Sequence, residues 1–271
     1  MTSKRKTLAL SRAGYLSAPI TNLNLLPTLA HATDADWSRE WRVRSYLAAN
    51  CRQCHQPGGS ALGYWDARSS NALSAAGLVN GPLNNSAGNT NNRVIVPGSL
   101  TNSMLLTRIS TRGPGQMPPL ATSLLDTSSI ALVSAWITND LPSYRSFADW
   151  QLAFFGVTNS PDSLPGADPD PNGALNQLEW LTGTSPLLSS DVWSGATIGR
   201  SNNSVLITYP RLSNRGFEAQ WTTNLFNSNS WQALNVPENG PYFAPTNGPA
   251  SVPDLITNTS GTFYRIRVFE P

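Results

Sequence analysis

Cys51-Arg52-Gln53-Cys54-His55 is the stretch on which the reading of this chain turns, because it holds both cysteines and one of the two histidines of 271 residues. Two thiols separated by two residues and followed at once by an imidazole form the attachment pattern for haem c. One helical turn lets both sulfurs reach the vinyl groups, and His55 then falls under the iron as proximal ligand. The same residues admit other chemistry. A redox dithiol would follow a strand in a βαβ setting, whereas helical spacing precedes Cys51. A structural zinc site needs four ligands, and only His31 could be added. A disulfide closing so short a loop would stabilise little.

A second motif lies downstream, Gly113-Pro114-Gly115-Gln116-Met117-Pro118-Pro119. Methionine opposite histidine is a frequent arrangement in electron-transfer haem proteins and raises the reduction potential. A Gly/Pro loop lies at the surface, where methionine is a poor core residue, and the prolines stiffen the loop that would hold the thioether. Met117 is therefore the candidate distal ligand. Met104, in the apolar run Ser103-Met104-Leu105-Leu106, an open iron and ligation by His31 stand as alternatives. Arg93 is a candidate partner for a haem propionate, with a solvated surface arginine as the other reading.

Helices should bracket this pocket. Trp37, Trp41, Arg44 and Ala48, and beside them Val43, Leu47 and Cys51, have helical spacing over Asp36 to Asn50. Ile130, Val133 and Ile137 mark one face of a helix over Asp126 to Thr138, with Asp126 or Thr127 as N-cap. Trp41, Tyr46 and Trp136 are expected in the core rather than in redox chemistry.

From Asp34 to Asp140 the chain resembles a class I cytochrome c domain. It is most similar to the modules at the C-terminal side of large exported dehydrogenase-like bacterial proteins. The pieces that carry the resemblance are Tyr46-Leu47-Ala48-Ala49-Asn50-Cys51, Cys54-His55-Gln56-Pro57-Gly58-Gly59, Val96-Pro97-Gly98-Ser99, Ser103-Met104-Leu105-Leu106, Met117-Pro118-Pro119 and Ala135-Trp136-Ile137, in that order. The resemblance implies an all-α domain with crossing terminal helices, a partly exposed haem edge, and His55 and Met117 as axial ligands. The Asn/Gly-rich stretch from Asn80 to Asn92 reads as an irregular surface excursion.

Beyond this region, Asp168-Pro169-Asp170-Pro171-Asn172-Gly173-Ala174-Leu175-Asn176-Gln177-Leu178-Glu179 satisfies the calcium-loop pattern D-x-[DN]-x-[DN]-G-x₅-E. Asp168, Asp170 and Asn172 would offer side-chain oxygens, Ala174 its carbonyl, Asn176 a further oxygen and Glu179 a bidentate carboxylate around calcium. An Asx turn that simply starts a helix is the plainer alternative. The segment resembles the EF-hand-like, thrombospondin-type calcium repeats of exported bacterial proteins, which run on into a stretch like Glu179-Trp180-Leu181-Thr182-Gly183-Thr184-Ser185-Pro186. Proline at the second and fourth loop positions suits a rigid, constitutively loaded site.

From about Asp191 the periodicity changes to two. Ser204 to Tyr209, Gly216 to Trp221, Trp231 to Leu234 and Thr262 to Phe269 read as strands of a small antiparallel sandwich, the last one central. The module is similar to terminal β-modules of exported bacterial proteins that end in a Phe-Tyr-Arg-Leu-Arg-Val type strand. The expected fold is therefore multidomain: a leader or upstream remnant (1–33), an all-α haem domain (34–142), a helix–calcium loop–helix linker (143–190) and an all-β sandwich (191–271).

Net charge is +2 and 13% of residues are charged, with lysine only at Lys4 and Lys6. Neither nucleic acid nor an anionic membrane is indicated as partner, and no run is apolar enough to span a bilayer. Lys4-Arg5-Lys6 and Leu29-Ala30-His31-Ala32 could begin and end a signal peptide, but the stretch between them is too polar. A C-terminal piece of a larger product, or a mis-called start, is the expectation, with a periplasmic or extracellular location. The reading that follows is an electron carrier between an exported dehydrogenase and another cytochrome or oxidase. The alternatives are a calcium-dependent surface or glycan-binding module with an accessory haem, and a haem peroxidase or gas-binding protein using His31.

Overall fold

The computed structural model describes residues 3–18, 20, 22–120, 122–201, 203–255 and 261–271, with side chains from Thr7 onward; the side chains of Lys4, Arg5 and Lys6 lie outside the described set. The chain divides into two compact units, Leu29–Asp191 with Glu270–Pro271, and Met1–Thr28 with Val192–Phe269. Of the segment expected as a leader (1–33), the part up to Thr28, including α1 (Ser3–Arg12), thus belongs with the strands and the rest with the other unit, and the Cys51–His55 motif shares a unit with the acidic loop.

In the first of these units, α2 (Arg39–Asn50) begins where Ser38 Oγ accepts the Trp41 N–H at 3.2 Å. Its turn-forming approach leaves Trp37 outside the helix. Next come α3 (Met104–Ile109) and α4 (Thr127–Ala135), the latter capped by Asp126, whose carboxylate accepts the Ser129 N–H at 3.0 Å. A wider π-type turn, Trp136–Asp140, extends α4. Val43 and Leu47 of α2, Leu105 and Ile109 of α3, and Leu132, Val133, Trp136 and Ile137 meet in one buried cluster. Burial of such apolar area is what holds these short helices, since segments this short are marginal alone.

The expectation of an all-α domain followed by a β-sandwich is overturned. Among the described residues no helix exceeds the 12 residues of α2, and the long stretch between α2 and α3 is largely irregular. That stretch is held by main-chain bonds such as Asn80 N–H to Ile95 carbonyl at 2.8 Å and Val94 N–H to Gly81 carbonyl at 2.9 Å. It includes the isolated bridges Val79↔Ile95 and Arg93↔Ser103. From Asn80 to Asn92 the stretch is mostly exposed, whereas Leu73, Leu78, Val94 and Ile95 on either side complete the buried cluster. The fully buried Arg44 side chain ties the stretch to α2 by donating to the carbonyls of Arg68 and Asn71. Helical periodicity marks α2 and α4 but says nothing of apolar residues delivered to the core by aperiodic backbone.

α5 (Phe147–Phe155) has a reciprocal cap between Ser146 and Asp149, and α6 (Asn176–Thr182) follows the acidic loop. Trp180 Nε1 donates to the Arg145 carbonyl at 3.0 Å, and Phe147 meets the Trp180 ring edge-on, so the two helices are fastened on either side of the loop.

Among the described residues the second unit holds two three-stranded antiparallel sheets. One has β1 (Thr197–Ser201), β2 (Ser204–Arg211) and β5 (Gly248–Leu255) in the order β1-β2-β5. The other has β3 (Gly216–Thr222), β4 (Gln232–Ala233) and β6 (Phe263–Phe269) in the order β4-β3-β6. The final strand is therefore an edge and β3 is central, because its partner on the far side is the two-residue β4. β1 is exposed on both faces, which a two-layer sandwich strand is not.

Candidate functional site

The Cys51–His55 motif continues α2 by one turn. Cys51 N–H donates to the Leu47 carbonyl at 2.8 Å, and His55 N–H to the Cys51 carbonyl at 2.8 Å. This places two thiols and an imidazole on successive corners of one turn. The backbone then folds back tightly: Ala61 N–H donates to the Cys54 carbonyl at 3.2 Å and Ala67 N–H to the His55 carbonyl at 2.8 Å. A Cβ on Gly59 would stand 2.1 Å from the Cys54 carbonyl oxygen, so only glycine closes this turn.

Cys51, Cys54, His55 and Met117 all line one cavity of about 400 Å³. Its walls are mostly apolar, from Leu62, Trp65, Leu83, Val94, Leu105 and Ile109. The His55 ring stacks on Trp65 with centroids 4.1 Å apart, and its buried Nδ1 has no hydrogen-bond partner. Burial, then the charge of Arg108, lowers the His55 pKa and favours the neutral, ligating imidazole. Burial, then Cys54, pushes the Cys51 thiol up to about 12. That is the reverse of the acidic thiol of a redox dithiol, and both cysteines are free. Four donors of the right types on one apolar-walled cavity fit a covalently held haem.

The Met117 N–H is anchored to the Arg108 carbonyl at 3.0 Å. Met104 also lines the cavity, but its sulfur accepts from Asn92 Nδ2 at 3.3 Å. His31 is not among the lining residues; its Nδ1 is 2.9 Å from the Thr33 hydroxyl. Arg93 is likewise not among them, and its guanidinium donates to the Thr90 and Asn92 carbonyls, both at 2.7 Å. The guanidinium on the cavity is that of Arg108. Sequence reasoning passed over it, although Met104, Leu105, Arg108 and Ile109 share one face of α3 by their spacing.

The acidic loop is a second candidate site. Asp168 is turned inward on its own loop, accepting the Asn172 N–H at 3.2 Å and the Gly173 N–H at 2.9 Å. Gly173 takes a left-handed φ of 89° at the sharp turn. Asn172 Oδ1 accepts the Ala174 N–H at 2.7 Å. Asn176 is fully buried, and its Nδ2 is clamped by the carbonyls of Asp162 at 2.8 Å and Leu164 at 2.7 Å, leaving Oδ1 without a partner. Both oxygens of Asp170 and both of the fully buried Glu179 are buried without hydrogen-bond partners. Burial, then the charge of Asp170, raises the Glu179 pKa, opposed in part by the Asn172 side chain. Unpartnered buried carboxylates are costly unless a cation joins them. Among the described residues no three His, Cys, Asp or Glu side chains are gathered about one point. A cation here would rest on two carboxylates supplemented by amide and main-chain oxygens. Ala174, the seventh loop residue, is buried.

No described helix is long and apolar enough to cross a membrane. No family model matches this chain, and it matches neither a curated protein nor a solved structure.

Proposed function

We propose that the protein is a c-type haem electron carrier. The observation that carries this reading is the convergence of Cys51, Cys54, His55 and Met117 on one apolar-walled cavity. The haem would supply reversible one-electron redox chemistry. Cys51 and Cys54 would hold it as thioethers: each S–H adds across a vinyl group, forming one C–S and one C–H bond with nothing lost. His55, whose pKa burial lowers, and Met117 would hold the iron. Trp65, Leu83 and Leu105 would give the group an apolar surrounding. With His55 and Met117 both holding the iron, no position would be left for a substrate, and electrons would pass to a protein partner, a dehydrogenase or another cytochrome. Covalent attachment follows export, which puts the protein in the periplasm or outside the cell.

The acidic loop would take calcium, supported by the orphaned oxygens of Asp170, Asn176 and Glu179. Hard oxygen donors in this number suit calcium over softer metals. The site would lock α5 and α6 together.

The test is an absorption spectrum of protein produced with an export signal and a haem-maturation system, before and after denaturation. Haem that stays with the denatured chain, and is lost in Cys51→Ala/Cys54→Ala, is the expected result. A wild-type protein without covalent haem overturns the reading.

A further inference from the structure

Met117 sits between α3 and α4, in a stretch that carries no helix or strand among its described residues. Regular structure therefore does not fix its side chain. What closes the chain around it is one side-chain amide, that of the preceding residue. Gln116 Oε1 accepts the Gly113 N–H at 2.7 Å, upstream of the methionine. Its Nε2 donates downstream, shared between the Pro118 carbonyl at 3.2 Å, the Thr122 carbonyl at 3.3 Å and the Thr122 hydroxyl at 3.1 Å. These partners settle the orientation of the amide, because a main-chain N–H requires its oxygen and two carbonyls require its nitrogen. The Thr122 hydroxyl in turn donates to the Pro118 carbonyl at 2.9 Å. Arg112 Nε closes the base of the same stretch on the Leu124 carbonyl at 3.2 Å. Gln116 is half-buried, which partly shields its bonds from water, and it does not line the cavity, whereas Met117 and Pro118 do.

We propose that Gln116 is the positioning residue of the sulfur ligand: it clasps the chain on both sides of Met117 and holds the thioether ready for the iron. The inference rests on the haem reading above. A neutral thioether on an irregular loop would otherwise have to be ordered whenever it binds, and that entropy would weaken the contact. An amide that orders the loop beforehand removes the cost.

The purified, oxidised holoprotein tests this through the sulfur–iron charge-transfer band, the affinity for added imidazole, which competes with the thioether, and amide hydrogen exchange from Gly113 to Met117. In Gln116→Ala covalent haem should remain, the band should weaken and loop exchange should quicken. Imidazole should bind on the order of tenfold more tightly, the effect of losing two such hydrogen bonds. Gln116→Glu has the same size and keeps the acceptor for Gly113, but turns an oxygen toward two carbonyls, so it should behave like Gln116→Ala. Thr122→Val removes one arm of the clasp and should raise imidazole affinity by less. A Gln116→Glu protein with the wild-type band and imidazole affinity overturns the proposal, as does a band lost without faster exchange in the loop. Should neither Gln116 variant mature, Thr122→Val decides, and an imidazole affinity equal to wild type there sinks the idea. Failure of the haem reading itself shows earlier, as a denatured wild-type spectrum without haem.

Discussion

The Met117 main chain hangs from Arg108, its N–H donating to the Arg108 carbonyl at 3.0 Å. One residue of α3 thus presents its side chain to the cavity and, through its carbonyl, positions the loop that carries the candidate sulfur ligand. Met104, at the start of the same helix, has its sulfur occupied by Asn92 Nδ2. Met117→Ala should abolish the sulfur–iron charge-transfer band of the oxidised protein while covalent haem remains. Met104→Leu, close to it in volume, should keep the band and cost under about 1.5 kcal/mol in denaturant unfolding. A band that survives Met117→Ala and vanishes in Met104→Leu would reverse the assignment.

Gly59 backs directly onto the Cys54 carbonyl, with room for a hydrogen and none for a methyl group. Gly59→Ala has to push apart the turn that brings Cys54 and His55 to the cavity. It should destabilise the protein by about 1–3 kcal/mol, the range for inserting a methyl into packed surroundings, and should lower haem incorporation. Gly58→Ala is a useful comparison, since nothing lies within 4 Å of an added Cβ there. It would bear only the strain of its positive φ. Equal haem yields from both variants would argue against the steric account.

Much of this site is legible in the sequence because it is local. The spacing of Cys51, Cys54 and His55, the cap at Asp126 and the oxygen ladder from Asp168 to Glu179 are all contained within a dozen residues. What cannot be read there is long-range. Nothing in the periodicity shows Leu78 and Ile95 entering the same core as Val43 and Val133, because the backbone that carries them is aperiodic. The strands over Ser204 to Tyr209 and Gly216 to Trp221 follow from alternation, but pairing order does not. β6 has long aromatic character and still ends as an edge, since the neighbour of a strand is chosen by topology. Arg93 and Arg108 look alike as sequence, and only tertiary packing turns the first to carbonyls and the second to the cavity.

Asp126 caps α4, accepting from the Ser129 N–H, and its pKa is lowered mainly by that bond, with the hydroxyls of Ser129 and Ser128 adding to it. A carboxyl whose folded pKa lies below its unfolded value stabilises above the unfolded value. It loses that contribution as pH falls through the folded one. Asp126→Asn, which can still accept the bond, should therefore narrow the loss of stability on acidification below the ordinary aspartate range. Asp126→Ala should cost about 1 kcal/mol at neutral pH. Thermal melts of both variants between neutral and acid pH check this, and a wild-type melt no more acid-sensitive than that of Asp126→Asn would refute it.

Glu179 gives the sharpest prediction for the acidic loop. Without a cation, its fully buried carboxylate faces Asp170, and burial and that charge raise its pKa against only a partial offset from the Asn172 side chain. Removing the charge should then help the metal-free fold and harm the loaded one. Calcium should raise the melting temperature of the wild type, and a chelator should lower it. Glu179→Gln should melt above wild type in chelator and show little response to calcium. Because Trp180 is the next residue and bonds across to Arg145, tryptophan fluorescence should report loading in the wild type and stay flat in the variant. Magnesium, which demands a smaller and stricter shell, should substitute poorly. A Glu179→Gln protein that is less stable than wild type in chelator, yet still stabilised by calcium, would mean that the carboxylate is satisfied by the fold and not by an ion.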